Sequence, residues 1–166
     1  RYTKSVSDIS KEKIDIDFLQ DRAKKNINSC QSAVQRIQKG IKLLQDDKNV
    51  FLAFQYANKA IQKQFLWKNP TGKFVWRPFQ IGFFLLNLES VSNEKSKDRG
   101  IFDLLWFPTG GGKTEAYLGL SAFTIVYNRL IDNPNDYGVE VLMRYTLRLL
   151  TSQQFQRAST LICAID

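Results

Sequence analysis

The chain has 166 residues, which is the size of one domain and leaves no room for two full hydrophobic cores. Hydrophobic residues make up 43% and charged residues 24%, proportions that exclude a collagen-like or fully disordered chain. The densest apolar run, 81–88, is too short to cross a bilayer, and the polar first residues contain no secretory signal. We therefore expect a cytoplasmic protein that has no contact with a membrane.

The net charge of +8 is concentrated in the N-terminal half. Residues 1–80 carry 16 Lys and Arg against 7 Asp and Glu, whereas residues 81–166 carry 8 against 9. A basic surface attracts nucleic-acid phosphates, but an ordinary solvated helix surface explains the same charge, so charge alone leaves the partner open. Cys30 and Cys163 lie inside apolar helical patterns, which predicts two reduced, buried thiols and no zinc site.

After a loose, charged lead-in over residues 1–15, two apolar stripes follow each other along the chain. The first has the alternating 4-3 spacing of a long amphipathic helix, and the second starts after the polar segment 45–49. We expect a helical hairpin over residues 16–70 in which the two stripes bury each other; a coiled coil with another chain is the alternative. The first stripe consists of Ala23, Ile27, Cys30, Val34, Ile37, Ile41 and Leu44, and the second of Phe51, Phe54, Ala57, Ile61 and Phe65.

A turn signal at 69–72 marks a domain boundary, and residues 71–166 then alternate between helical and strand-like patterns. Pro78 suits the first turn of a helix. Strands that alternate with helices pair in parallel, so the pattern predicts an α/β fold that is part of a P-loop nucleotide-binding domain. The predicted elements are a helix at 78–89, a strand at 101–107, a helix at 113–131, a strand at 139–143 and a helix at 147–165.

Residues 107–114, FPTGGGKT, are the strongest functional signal, and we refer to them as the glycine loop. They follow a predicted strand and open a predicted helix, which is the context of a phosphate-binding loop. Consecutive glycines let backbone amides approach phosphate oxygens at a helix N-terminus, although Phe107 stands where the general pattern has glycine. Lys113 supplies a charge for the phosphates and Thr114 a hydroxyl for Mg²⁺, so we predict an ATP and Mg²⁺ site with these two as catalytic residues and Thr114 as the metal ligand.

Two flanking segments extend this predicted site. Upstream, Arg77 and Gln80 lie three apart at a helix start, where a carboxamide can hydrogen-bond adenine; an ordinary polar helix cap is the alternative. Downstream, polar and basic residues follow the second predicted strand and suit the phosphates of single-stranded DNA, although the arginines also suit ion pairs within the protein. The predicted nucleotide-binding residues are Arg77, Gln80, Thr109, Gly110, Gly111, Gly112, Lys113, Thr114 and Glu115, and the predicted DNA-binding residues are Arg144, Thr146, Arg148 and Gln153.

Three segments, WRPFQ, FPTGGGKTEA and MRYTLRLLTSQQFQR, resemble in their order the glutamine motif, motif I and motif Ia of superfamily 2 helicases. Over residues 48–166 the chain is similar to the helicase subunits of bacterial DISARM phage-defence systems. The resemblance implies a RecA-like domain, Gln80 on adenine, Gly110 to Thr114 on phosphate and Mg²⁺, and Arg144, Thr146 and Arg148 along DNA. It also implies a partner subunit and foreign DNA as the substrate. We thus expect the ATP-binding front part of an ATP-dependent DNA helicase or translocase.

A helicase also needs an acidic strand to hold Mg²⁺ and a second motor domain, and neither pattern follows residue 157. We therefore expect this sequence to be a portion of a longer polypeptide and to be inactive alone. A module that binds nucleotide without hydrolysis and docks a partner protein is the alternative function. A phosphotransferase acting on a small acceptor shares the glycine loop but lacks a recognisable acceptor pocket.

Overall fold

A computed structural model describes residues 16–108, 110–131, 138–144 and 148–166, with side chains throughout except at residues 16, 17 and 148–151. The predicted lead-in at 1–15 lies outside the described residues. Helix α1 spans Ile16–Asp46, α2 Lys48–Lys68, α3 Pro78–Ser92, α4 Lys113–Leu130 and α5 Arg148–Ile165, and a 3-10 helix spans Lys97–Gly100. None of these helices is long and apolar enough to cross a membrane.

Local capping signals set where three of the helices begin. The Asp47 carboxylate accepts hydrogen bonds from the backbone amides of Asn49 and Val50, at 2.8 and 3.1 Å, and so caps α2. Pro78 is the first residue of α3, where the missing amide proton costs nothing. Gly112 precedes α4 in the left-handed conformation, with φ of +85°. These starts agree with the sequence patterns because each signal is local.

The chain divides into two units, residues 1–35 and 36–166, and the second contains the hydrophobic core. Helix α4 packs against α2, α3 and α5, and α2 also packs against α5. Alanines on α2 and α4 let the helix axes come close, and larger apolar side chains fill the spaces between them. The fully buried core residues are Val50, Ala53, Ala57, Phe84, Leu88, Ala116, Ala122 and Phe123.

The described residues contain helices and no β-strand, so the predicted α/β fold with parallel strands is wrong. The segments 101–107 and 139–143 are neither helical nor paired, and several of their apolar side chains stay exposed: Phe102 is 92% and Trp106 85% accessible. A strand exists only through hydrogen bonds to a neighbour, and an isolated pair of short strands is marginal in water. The core forms instead by helix packing, and the RecA-like assignment has no support in this architecture.

One ion-pair cluster fastens the start of the second unit to the segment that follows the 3-10 helix. Arg36, nearly fully buried, donates to both carboxylate oxygens of Asp103 at 2.6 Å. Asp98 lies 3.6 Å from the Arg36 Nε, and the Asp103 carboxylate raises the pKa of Arg36 above its usual value. A bidentate pair of this geometry is much stronger than a surface ion pair.

Both cysteines are exposed, so their predicted burial is wrong. Cys30 lies on α1 and Cys163 on α5, and both are accessible to solvent. The sequence pattern shows that each cysteine lies among apolar residues of a helix, but an apolar helix face is not always buried.

Candidate nucleotide-binding site

Gly110, Gly111 and Gly112 of the glycine loop form a turn directly before α4. The Gly111 amide donates to the Pro108 carbonyl at 3.1 Å, and Gly110 and Gly112 have φ of +79° and +85°. Residues other than glycine rarely adopt such angles, which explains two of the three glycines. The amides of the first turn of α4 have no partner within their helix and can bind an anion.

The Lys113 side chain folds back over the glycine loop. Its Nζ donates to the carbonyl oxygens of Phe107, at 2.5 Å, and Pro108, at 3.0 Å. Thr114 lies in the first turn of α4 with a partly accessible side chain, and Thr109 lies outside the described residues. The loop therefore places an ammonium group and a hydroxyl at consecutive positions next to the open helix end.

The side chains of Arg77 and Gln80 bind the backbone of the glycine loop at the end that leads into α4. The Gln80 Nε2 donates to the Gly112 carbonyl at 2.7 Å, and the Arg77 guanidinium donates to the Gly111 carbonyl at 2.8 Å. The Gln80 Oε1 accepts from the Arg77 amide at 2.8 Å, which also caps α3. Gln80 is only 3% accessible. The structure thus brings these two predicted residues to the loop, where they bind its backbone; adenine recognition by Gln80 stays a prediction.

Glu115 lies in the first turn of α4, close to Gly112, and forms an ion pair with Arg157 on α5. The other carboxylate oxygen of Glu115 is buried and has no hydrogen-bond partner in the described part of the chain. The Arg157 carbonyl accepts from Gln64 of α2 at 2.6 Å, so this contact joins three helices. Arg157 was not among the predicted residues, because an ion pair between residues 42 positions apart leaves no local signal.

Phe79 and Phe107 stack with ring centroids 3.9 Å apart and planes 20° from parallel. The stack connects the start of α3 to the start of the glycine loop. It gives a structural role to Phe107, the position at which the loop departs from the general pattern. The sequence shows an aromatic residue at each of these positions, but it does not show that the two rings contact each other.

The predicted DNA-binding residues are only partly described. Arg144 and Gln153 have exposed side chains, as a nucleic-acid contact requires. Thr146 lies outside the described residues, and Arg148 begins α5 with a side chain that is not described. The structure therefore leaves DNA binding by this group as a prediction.

A separate cavity of about 590 Å³ lies between the ends of α3 and α4 and the segment 139–142. Its lining includes no described residue of the glycine loop. The Tyr127 hydroxyl on its wall donates to the Ser92 carbonyl at 3.1 Å. Burial raises the pKa of Tyr127, and the charge of Asp47 adds a smaller effect in the same direction. Asn128 beside it donates to Glu140 and ties the segment to α4.

Among curated proteins, the chain is similar to the "DISARM protein DrmA" of Bacillus paralicheniformis (strain ATCC 9945a / NCIMB 11709 / CD-2). The two are 46% identical over 161 aligned residues, which cover 84% of this chain and 14% of that protein. The chain thus spans about a seventh of the length of the relative. No family model and no solved structure matches it. At that level of identity, the chain is related to a DISARM protein across most of its length.

Proposed function

We propose that the glycine loop binds the triphosphate of ATP together with Mg²⁺, and that the longer protein uses ATP to move along or unwind DNA in defence against phage. The observation that carries the proposal is the loop itself: a glycine turn at a helix N-terminus with Lys113 and Thr114 next to it. The relation to a DISARM protein supports the defence role and a place in a complex with partner subunits.

The donors of the loop fit a phosphate chain. Phosphate oxygens accept hydrogen bonds, and the first-turn amides of α4 and the Lys113 ammonium are donors at one end of one helix. The loop carbonyls, which would repel phosphate, are already bound: those of Gly111 and Gly112 by Arg77 and Gln80. The carbonyls of Gly111 and Gly112 are therefore occupied, whereas the first-turn amides of α4 remain able to donate to phosphate.

Each residue then has a defined part in binding. Lys113 exchanges the carbonyls of Phe107 and Pro108 for phosphate oxygens, and the Thr114 hydroxyl would hold the Mg²⁺, which offsets phosphate charge. Arg77 and Gln80 keep the loop in shape throughout. Arg144 and Gln153 are the exposed described residues that would contact the DNA strand.

Removing the Lys113 charge tests the nucleotide site. Lys113→Ala should weaken binding of a fluorescent ATP analogue with Mg²⁺ by about 10- to 100-fold, because a charge-assisted hydrogen bond contributes about 1.5–3 kcal/mol. Lys95→Ala, which removes one charge from an exposed loop lysine, is the matched control and should bind normally. Equal affinities of the two variants would refute a phosphate site at this loop.

A second measurement, of whether DNA stimulates ATP hydrolysis, distinguishes a DNA motor from a module that binds nucleotide without hydrolysis. In the longer protein, single-stranded DNA should raise the ATPase rate, and Lys113→Ala should abolish the stimulated rate. A protein that binds ATP without hydrolysis and without a DNA effect would be the assembly module instead. Nucleotide binding and hydrolysis are measured separately, so the proposed phosphate site and the proposed motor activity can be refuted independently.

A further inference from the structure

An acidic side chain, Glu115, lies at the end of α4 that the proposed function assigns to phosphate. A Cβ added at Gly112, the residue before α4, would lie 3.4 Å from the Glu115 Oε2. That oxygen is buried and has no hydrogen-bond partner in the described part of the chain. A carboxylate and a phosphate are both anions, and the N-terminus of a helix attracts both. The proposed phosphate site therefore contains a group that competes with its ligand.

The position of Glu115 in the helix makes this competition specific. Glu115 is the third residue of α4, and from this position a carboxylate can reach back to the amide at the start of its helix. In that capping arrangement the carboxylate occupies one of the open amides that phosphate would need. Glu115 is not bound in this way, because its Oε1 accepts from Arg157 and its Oε2 has no described partner.

Arg157 of α5 binds the Glu115 carboxylate and keeps it away from the amides. The Arg157 Nη2 donates to the Glu115 Oε1, and the two side chains are only 27% and 29% accessible. Water screens a partly buried ion pair less than a surface pair, so the Arg157 charge offsets the Glu115 charge effectively. With Arg157 in place, the positive charge of Lys113 is available for phosphate.

The backbone of Arg157 is held in position by α2. The buried Gln64 donates from its Nε2 to the Arg157 carbonyl at 2.6 Å and to the Thr160 Oγ1 at 2.7 Å. The Thr160 hydroxyl also donates to the Arg157 carbonyl, at 2.9 Å. Helix α2 packs against both α4 and α5, so Arg157 reaches Glu115 from a supported segment of α5. A supported segment limits how far the guanidinium can move away from the carboxylate.

From these contacts we infer that Arg157 is a positioning residue of the phosphate site. It holds Glu115 off the first-turn amides of α4 and offsets its charge, and it does so without contacting the nucleotide. This inference rests on the proposed function, because it concerns the affinity of the same site for phosphate. It adds to that site a residue of α5 that lies 42 positions beyond Glu115 and outside the glycine loop.

Substitution of Arg157 tests the inference through the affinity for a fluorescent ATP analogue with Mg²⁺. Arg157→Gln should weaken binding by about tenfold, equivalent to about 1.4 kcal/mol, because it releases Glu115 to compete with phosphate. Arg157→Lys keeps a positive charge near Glu115 and should lose much less affinity. Arg129→Gln is the matched control: it removes an exposed ion pair with Asp166 at the opposite end of α4, and it should bind normally.

A second substitution separates this role from simple helix packing. Glu115→Gln, introduced into the Arg157→Gln protein, removes the competing charge and should restore most of the lost affinity. If Arg157 only packed α5 against α4, the second substitution would restore nothing. Inorganic triphosphate with Mg²⁺, measured by displacement of the analogue, should lose affinity for the Arg157→Gln protein by the same factor, because the competition concerns phosphate and not the base.

The outcomes distinguish this inference from the proposed function. If the unchanged chain does not bind the analogue, the phosphate site and the role of Arg157 are both refuted. If the chain binds and Lys113→Ala weakens binding, but Arg157→Gln binds normally, only the role of Arg157 is refuted. A loss that Glu115→Gln does not restore, or a loss for the analogue without one for inorganic triphosphate, also overturns it. Helical circular dichroism checks that each variant is folded.

Discussion

Gly112 and Gly110 allow a direct measurement of how the glycine loop is held. Both have positive φ, so alanine at either position is strained by the same backbone conformation. Their surroundings differ. A Cβ at Gly112 would lie 2.8 Å from the Gln80 Nε2, whereas a Cβ at Gly110 would have no atom within 4 Å. The pair of substitutions therefore separates the backbone cost from the cost of displacing Gln80.

The magnitudes follow from these contacts. The left-handed conformation costs alanine about 1–2 kcal/mol, which is the whole effect expected for Gly110→Ala. At Gly112 the buried Gln80 must also move and weaken its hydrogen bonds to the Gly112 carbonyl and from the Arg77 amide. Each such bond contributes about 0.5–1.5 kcal/mol, so Gly112→Ala should cost about 1–3 kcal/mol more than Gly110→Ala.

Urea unfolding followed by helical circular dichroism measures both free energies. Gly82→Ala is the control for the method: Gly82 lies inside α3 with open space around it, so alanine should stabilise the helix by about 0.5–1 kcal/mol. If Gly112→Ala and Gly110→Ala lose the same stability, Gln80 does not hold the loop, and the proposed arrangement of free amides and bound carbonyls fails with it.

Two further predictions concern the helix contacts. Gly40→Ala should destabilise the fold by about 2–3 kcal/mol or more in urea unfolding, because its Cβ would overlap the Leu85 carbonyl oxygen, a backbone atom that cannot move without shifting α3; an unchanged midpoint would show that α1 does not pack there. Tyr127→Phe should remove part of the stability loss above pH 10, the ordinary pKa of tyrosine. Since the folded state raises the pKa of Tyr127, the unfolded state releases its proton first, and stability falls with rising pH by at most about 1.4 kcal/mol per pH unit. Parallel pH profiles for the variant and the unchanged chain would contradict this.

The helices could be predicted from sequence because their signals lie within a few residues. Pro78 marks the start of α3, and the glycines before Lys113 mark the start of α4; the predicted helix at 113–131 ends one residue beyond the observed one. The strands could not be predicted in the same way. Residues 101–107 are apolar enough for a strand, but a strand depends on a partner, and periodicity in one segment carries no information about what lies beside it.

In the candidate site, too, features formed by consecutive residues could be predicted and contacts between distant residues could not. The glycines, Lys113 and Thr114 were predictable because the loop chemistry is contained in consecutive residues. The contact of Gln80 with the loop was anticipated only in outline: its proximity was expected, but its two backbone hydrogen bonds were not. Arg157 was missed altogether, since its pairing with Glu115 depends on how α5 packs against α4.

The hydrogen bonds of the glycine loop also indicate which part of it would change in the proposed binding of phosphate. Gln80 is buried and bonded through both atoms of its amide, so moving it would break contacts that no ligand replaces. Lys113 is partly accessible, and its two acceptors are carbonyls at the start of the loop, which a phosphate can replace with stronger, charged acceptors. Binding should therefore exchange the partners of Lys113 while α3 and Gln80 stay in place. The proposed phosphate binding would then need little rearrangement, and its entropy cost would fall mainly on one flexible side chain.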